Sequence, residues 1–192
     1  MQTVVLAAGS SVRMGRDKLI APFAGVPLAR RVVLALADLR PLVVATPAVA
    51  EAIGDLPGVR LIVTGPTAGP SVSLALAHAA TAPGIPLAVT ACDLPFLDAA
   101  LVRRLVARVP PDADLAFPVV RGTPGHPVVW SAKARARIPG LRDDEPPARV
   151  RRDGALRVVE LAAEDEGYVL DVDTPAAWRA AERRAGREAE GI

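Results

Sequence analysis

The first apolar run of the chain, Val4 to Leu6, breaks abruptly into Ala7, Ala8, Gly9, Ser10 and Ser11, and basic residues follow at Arg13 and Lys18. A short apolar run with turn formers behind it reads as a buried strand feeding a loop. Small residues let backbone N–H groups approach an anion closely. Arg13 adds a planar fork and Lys18 a point charge, a combination that suits a triphosphate. An ordinary strand-to-helix loop with solvated basic residues has the same local composition. The glycine spacing of Gly9 and Gly15 excludes G-x-G-x-x-G, and no Gly-Lys-Ser/Thr closes a P-loop.

The rest of the chain repeats the alternation. Pro27 opens a helical pattern of Leu28, Val32, Val33, Leu36 and Leu39. Leu42 to Ala45 reads as a strand, Val49 to Ile53 as a short helix and Val59 to Val63 as a strand. A helix starts near residue 70, with Ser71 or a neighbour able to cap it, and Pro86 to Ala91 is a further buried strand ending at Cys92 and Asp93. Asp98 caps a helix carrying Leu101, Val102, Leu105 and Val106, and Leu115 to Val120 is a strand. Beyond a Gly and Pro connector, strands are expected at Pro127 to Trp130, Leu156 to Leu161 and Tyr168 to Asp171. Short and long helices are expected at Ser131 to Ile138 and Ala176 to Arg187. This order predicts a three-layer α/β/α, doubly wound, mostly parallel sheet of Rossmann-like type, with ligands at the carboxyl ends of its strands.

With 192 residues and 51% apolar content, one domain over 1–187 is the default, with a frayed tail at 188–192. Residues 1–120 are expected to form a nucleotide-binding half and residues 121–187 an acceptor-side half of the same domain. A net charge of +2 without a basic block, and 3% aromatic residues, argue against a nucleic-acid partner. No targeting segment or long apolar span is evident, and the single cysteine, Cys92, cannot form an internal disulfide. A cytoplasmic protein with no membrane partner is expected.

Acids at strand ends complete the chemistry. Asp93 can hold Mg²⁺ beside a triphosphate, since this ion takes one or two carboxylates together with phosphate oxygens and waters. Asp171 and Asp173 alternate across a strand end, so only one of them easily meets the same ion. Taken singly, Asp93 also suits a turn before Leu94-Pro95, and Asp173 a cap ahead of Thr174-Pro175. His78 lies in an apolar helical context and reads as structural.

Read as L-A-A-G-x-S-x-R-M-G-x-x-K, residues Leu6 to Lys18 resemble the signature of the MobA-like nucleotidyltransferases, and especially the molybdenum cofactor cytidylyltransferases. TACDLPFL resembles the family's G-D-x-P-x-L metal motif and LDVDTPAAW its closing D-I-D-T-P-x-D-L. The resemblance implies a Mg²⁺-dependent transfer of a nucleoside monophosphate from CTP to a phosphorylated acceptor, molybdopterin or the molybdenum cofactor, with release of pyrophosphate. Arg13, Lys18 and Asp93 are the implied catalytic residues. Leu6, Ala7, Ala8, Gly9, Ser71 and Ser73 join Arg13 and Lys18 around the nucleotide, with Ser73 a weaker candidate than Ser71. Asp171 and Asp173 join Asp93 at the metal.

Gly125-His126-Pro127 matches the G-H-P of the cytidylyl branch, which points His126, together with Arg149 from the loop Arg142 to Arg149, at the acceptor. Two positions depart from the pattern. Cys92 stands where the family has Gly, and DDEPPAR replaces D-E-G-A-R, so that Pro147 fixes φ and removes a donor. GPTAGP and DLPFL also resemble the guanylyl branch, which makes GTP the alternative donor. A binding module without catalysis, handling the pterin as a chaperone or regulator, is the alternative from a different class. A molybdoenzyme or chaperone receiving the product is an implied further partner.

Overall fold

The structure is a computed structural model that describes residues 1–9 and 17–190. Its centre is a sheet in which β1 (Gln2–Ala7) lies between β4 (Leu42–Ala45) and β6 (Leu87–Ala91), parallel to both. β5 (Arg60–Val63) extends the sheet beyond β4, and beyond β6 come β9 (Val128–Trp130), β7 (Leu115–Val120) and β10 (Val158–Ala163), giving the order β10-β7-β9-β6-β1-β4-β5 with β8 (Thr123–Pro124) paired to β7. The chain moves outward from β1 to β4 and β5, then returns to the opposite side of β1 as β6. That reversal leaves a crevice at the carboxyl ends of β1 and β6, where a doubly wound sheet collects ligands.

Alternate strand residues build two separate cores. Val5, Val43, Ala88 and Val129 face one side, with α1 (Leu28–Ala35), α2 (Pro47–Ile53), α4 (Ala99–Val106) and α6 (Pro175–Glu190) supplying residues such as Leu28, Ile53, Leu101 and Trp178. Val4, Val44, Leu87 and Val128 face the other, against Leu74 and Ala77 of α3 (Pro70–Ala79) and Ala134 of α5 (Ala132–Arg135). Side chains of a strand point alternately to its two faces, so runs apolar at every position need cover on both. The predicted three-layer arrangement is what the chain adopts.

Several elements differ from the sequence expectation. Pro22–Phe23 and Val26–Pro27 form a small antiparallel hairpin, β2 and β3, around Gly25 at φ +89°. After β7 (Leu115–Val120) the chain turns at Arg121 and Gly122, both at positive φ, and returns as β8 (Thr123–Pro124) and β9 (Val128–Trp130). A turn that tight leaves no length for a crossover, so β9 runs antiparallel to both β7 and β6. β10 covers Val158–Ala163, two residues later than expected, and pairs parallel with β7.

Tyr168 to Asp171 is not a strand. A 3-10 turn at Glu166–Tyr168 leads into irregular chain, because the backbone of this stretch bonds to scattered partners instead of one neighbouring strand. α3 is capped at Gly69 without a side-chain cap, so Ser71 does not serve that role. α6 begins where Thr174 Oγ1 accepts from Ala177 N at 3.1 Å and continues to Glu190, beyond the expected end at Arg187. The expected frayed tail is therefore helical through 190, while residues 191–192 lie outside the described residues. Among the described residues no helix is long and apolar enough to cross a membrane.

Candidate functional site

A cleft of about 610 Å³ opens at the crevice beside β1 and β6. Leu6 and Gly9 come from β1 and its exit, and Ala91, Cys92 and Asp93 from the end of β6. The segment Thr67 to Pro70 and Ser73 enter from the start of α3. Lys18, His126, Trp130, Arg151 and Asp173 complete the parts that carry polar groups.

Lys18 reaches the cleft from a segment clamped to α1. The carbonyls of Leu19 and Ala21 accept from Ala29 N at 2.9 Å and Leu28 N at 3.1 Å, satisfying N–H groups that a helix start leaves open. Its ammonium donates to Asp93 Oδ2 at 2.7 Å and to Asp173 Oδ1. Burial pulls the Lys18 pKa down, but Asp93 and Asp173 together outweigh it and raise the group above its ordinary value.

The two acids meet because of one backbone contact. Val172 N donates to the Asp93 carbonyl at 3.2 Å, which sets the irregular chain before α6 against the end of β6 and brings Asp173 next to Asp93. Asp171 is exposed and does not line the cleft. Two carboxylates converging on one cation form a hard, anionic oxygen donor set of the kind that suits Mg²⁺ or Mn²⁺. Asp93 and Asp173 therefore fit a divalent ion.

The opening strand presents less than expected. Leu6 and Gly9 line the cleft, whereas Ala7 and Ala8 are 1% and 0% exposed. The Ala8 carbonyl is occupied by Thr67, whose N and Oγ1 donate to it at 3.0 and 3.2 Å. Arg13 lies outside the described residues.

Of the two serines, Ser73 lines the cleft and Ser71 does not. Ser73 shares a 3.0 Å hydrogen bond with Thr67 Oγ1. Both are buried, and the Ser71 hydroxyl donates to the Glu145 carbonyl, tying α3 to the loop Arg142 to Arg149. Gly69 permits the same approach, since a Cβ there would lie 2.6 Å from the Asp143 carbonyl oxygen.

His126 lines the cleft, held by its N–H donating to the Tyr168 carbonyl at 2.8 Å. A Cβ on Gly125 would collide with that carbonyl, which accounts for the glycine at this position. The ring Nδ1 lies 3.4 Å from the Val89 carbonyl, a contact in which only the nitrogen can donate. Burial lowers the His126 pKa and Arg151 adds to that, while Val89 and Asp93 oppose it. Burial also pushes the Cys92 thiol well up, so the protonated, weakly nucleophilic form is favoured.

Arg149 is largely exposed and pairs with Glu145 at 3.0 Å, lining an outer groove and not the cleft. Arg151 enters the cleft instead, with its guanidinium carbon 3.8 Å from the Phe117 ring centroid. Sequence reasoning missed Arg151, Thr67 and Trp130. Each stands in a locally ordinary context, and only the assembled sheet and the turn at Pro147–Arg152 bring them to the cleft.

A profile of the MobA-like NTP transferase domain matches residues 3–176. A protein of Rhizobium leguminosarum bv. trifolii named molybdenum cofactor guanylyltransferase is 36% identical over 152 residues, 77% of this chain and 71% of that protein. Among solved structures, the Mycobacterium tuberculosis Rv0371c homologue from Mycobacterium sp. strain JC1 superposes with a TM-score of 0.81 at 26% identity. It covers 97% of this chain and 96% of its own. The manganese complex of Rv0371c from M. tuberculosis H37Rv gives 0.77 at 23% identity over 95% and 97% of the two chains.

Proposed function

Because the chain belongs to the MobA-like NTP transferase domain family, we propose that it transfers a nucleoside monophosphate from CTP or GTP to the phosphate of molybdopterin or the molybdenum cofactor. The observation that carries this reading is the convergence of Lys18, Asp93 and Asp173 at the crevice beside β1 and β6. In the proposed reaction an acceptor phosphate oxygen forms a bond to the α-phosphorus as the α–β phosphoanhydride bond breaks. The departing pyrophosphate carries away the electron pair.

Lys18, with Arg13 of the opening loop, holds the triphosphate and offsets charge that develops on it. To do so Lys18 exchanges a carboxylate partner for a phosphate oxygen when the donor arrives. Mg²⁺ is the proposed cofactor, held by Asp93 and Asp173, and when bound it supplies neutralisation of phosphate charge. The manganese in the M. tuberculosis structure belongs to that protein. Toward this chain the metal proposal rests on the carboxylate pair.

Leu6, Gly9 and Ser73 face the nucleoside in this scheme, within a donor half formed by residues 1–120. His126 faces the acceptor within a second half of the same domain, residues 121–187. Such a reaction belongs in the cytoplasm, where a molybdoenzyme or its chaperone receives the product.

Both donors have support. The name of the R. leguminosarum relative favours GTP, while Leu6-Ala7-Ala8-Gly9 and Gly125-His126-Pro127 favour CTP through their likeness to the cytidylyl branch. An equilibrium binding screen of CTP, GTP, ATP and UTP with Mg²⁺, followed by pyrophosphate release with a pterin phosphate, tests the whole reading. Tight nucleotide binding without pyrophosphate release from any pterin phosphate would leave a binding module in place of a transferase.

A further inference from the structure

The two cations of the cleft among the described residues are in opposite states. Lys18 is engaged by two carboxylates, whereas Arg151 makes no ion pair and no side-chain hydrogen bond with described residues, and its Nε is buried without a partner. Burial lowers the Arg151 pKa, offset in part by Glu160. A desolvated cation with no counter-ion in contact is destabilising, and that cost falls when an anion binds.

Local geometry explains how it came to be there. Pro147–Arg152 is a 3-10 helix, in which side chains three apart share a side. Arg149 and Arg152 thus both line the outer groove, while Val150 is buried and Arg151 turns into the cleft. There the guanidinium carbon lies 3.8 Å from the Phe117 ring centroid, a contact that uses no N–H and leaves the terminal nitrogens for a bidentate contact. His126, Asp93, Asp173 and Arg151 all line this one cleft, so the unpaired cation shares it with the two carboxylates.

We propose that Arg151 is the residue that holds the phosphomonoester of the acceptor, in the cleft it shares with the Asp93 and Asp173 carboxylates. A guanidinium fork matches a phosphate in charge and in geometry, and binding there offsets the desolvation that Arg151 bears in the free protein. The inference rests on reading the cleft as a nucleotidyl transfer site, and it assigns the acceptor's anionic group to a residue outside the recognised motifs.

The test titrates wild type, R151M and R151K with 6-hydroxymethylpterin phosphate, with its free alcohol, and with CTP and GTP in the presence of Mg²⁺. R151M is expected to weaken the phosphate ester by at least about tenfold, the loss of one charge-assisted contact. R151K, which keeps the charge but not the fork, is expected to lose less. The alcohol should bind all three proteins equally, and nucleotide affinity should stay within about twofold, less than one hydrogen bond's worth.

Equal affinity of R151M and wild type for the ester overturns the proposal, as does a parallel loss of nucleotide affinity, which would put Arg151 at the donor. Wild type binding the ester no better than the alcohol overturns it too. If R151M melts early, the ratio of ester to alcohol affinity in R151K against wild type decides, an unchanged ratio being contrary. Failure of the transferase reading looks different: wild type then releases no pyrophosphate from any nucleotide, while the effect of R151M on the ester persists.

Discussion

Lys18 Nζ lies 2.7 Å from Asp93 Oδ2, joining the segment that follows the opening loop to the end of β6, 75 residues away in the chain. The same ammonium reaches Asp173, so one cation closes a site drawn from three separate parts of the sequence. The paired state of Lys18 makes the carboxylates and the lysine interdependent, and substitutions at any of the three should expose that.

Asp93→Asn is expected to lower turnover by about a hundredfold or more, as loss of a charge-stabilising group at a phosphoryl site does. Circular dichroism and thermal unfolding should show the fold retained, because the asparagine still reaches Lys18 as an acceptor. Steady-state pyrophosphate release checks the rate. Turnover equal to wild type would remove Asp93 from the chemistry.

Ser71→Ala and Ser73→Ala should separate structure from binding. Ser71 gives its hydroxyl to the Glu145 carbonyl in a buried link, so its loss should cost about 1–3 kcal/mol in urea unfolding. Ser73 is buried too but lines the cleft beside Thr67, so its replacement is expected to raise the nucleotide KM, which loss of Ser71 should leave unchanged. The reverse assignment of effects would contradict the placement.

Acid should weaken the fold through His126. Its folded pKa lies below the ordinary value, so as pH falls past about 6.5 the unfolded chain takes up the proton first. Stability is thus fully present above that point and declines toward the folded value. The Tm of wild type should fall further between about pH 7 and pH 5 than that of His126→Gln. His78 shifts in the same direction and is present in both proteins, so it cancels. Equal declines would show that His126 is not the responsible group.

Arg135 should prove a structural cation. It is 2% exposed, and its guanidinium donates to the carbonyls of His78, Thr81 and Ala82 at 3.1 to 3.2 Å and to that of Ile85, closing the carboxyl end of α3. Arg135→Met leaves these carbonyls without their donor and should cost about 2–4 kcal/mol by denaturant titration. Nucleotide affinity at permissive temperature should be unchanged.

Much of the architecture was legible because it rests on local pattern. Apolar runs marked β1, β4, β6 and β7, and Asp98 was recognisable as a cap, bonding to Leu101 N at 2.7 Å. The antiparallel course of β9 was not legible, since the tight turn at Arg121 and Gly122 carries no strong turn dipeptide and the strand itself shows no direction. The supposed strand Tyr168 to Asp171 has suitable residues but no neighbouring strand to pair with.

The sequence by itself determined β1, β4, β6 and β7, the small-residue exit from β1 and the acids that follow apolar runs, because each depends on neighbours a few residues apart. The tertiary structure alone decided which groups meet. It joined Asp173, and not Asp171, to Asp93 through the Val172 backbone, turned Ser71 away from the cleft, and exchanged Arg149 for Arg151. Those choices depend on the register and rotation of distant segments, and a change of one residue in a turn carries a side chain to another face.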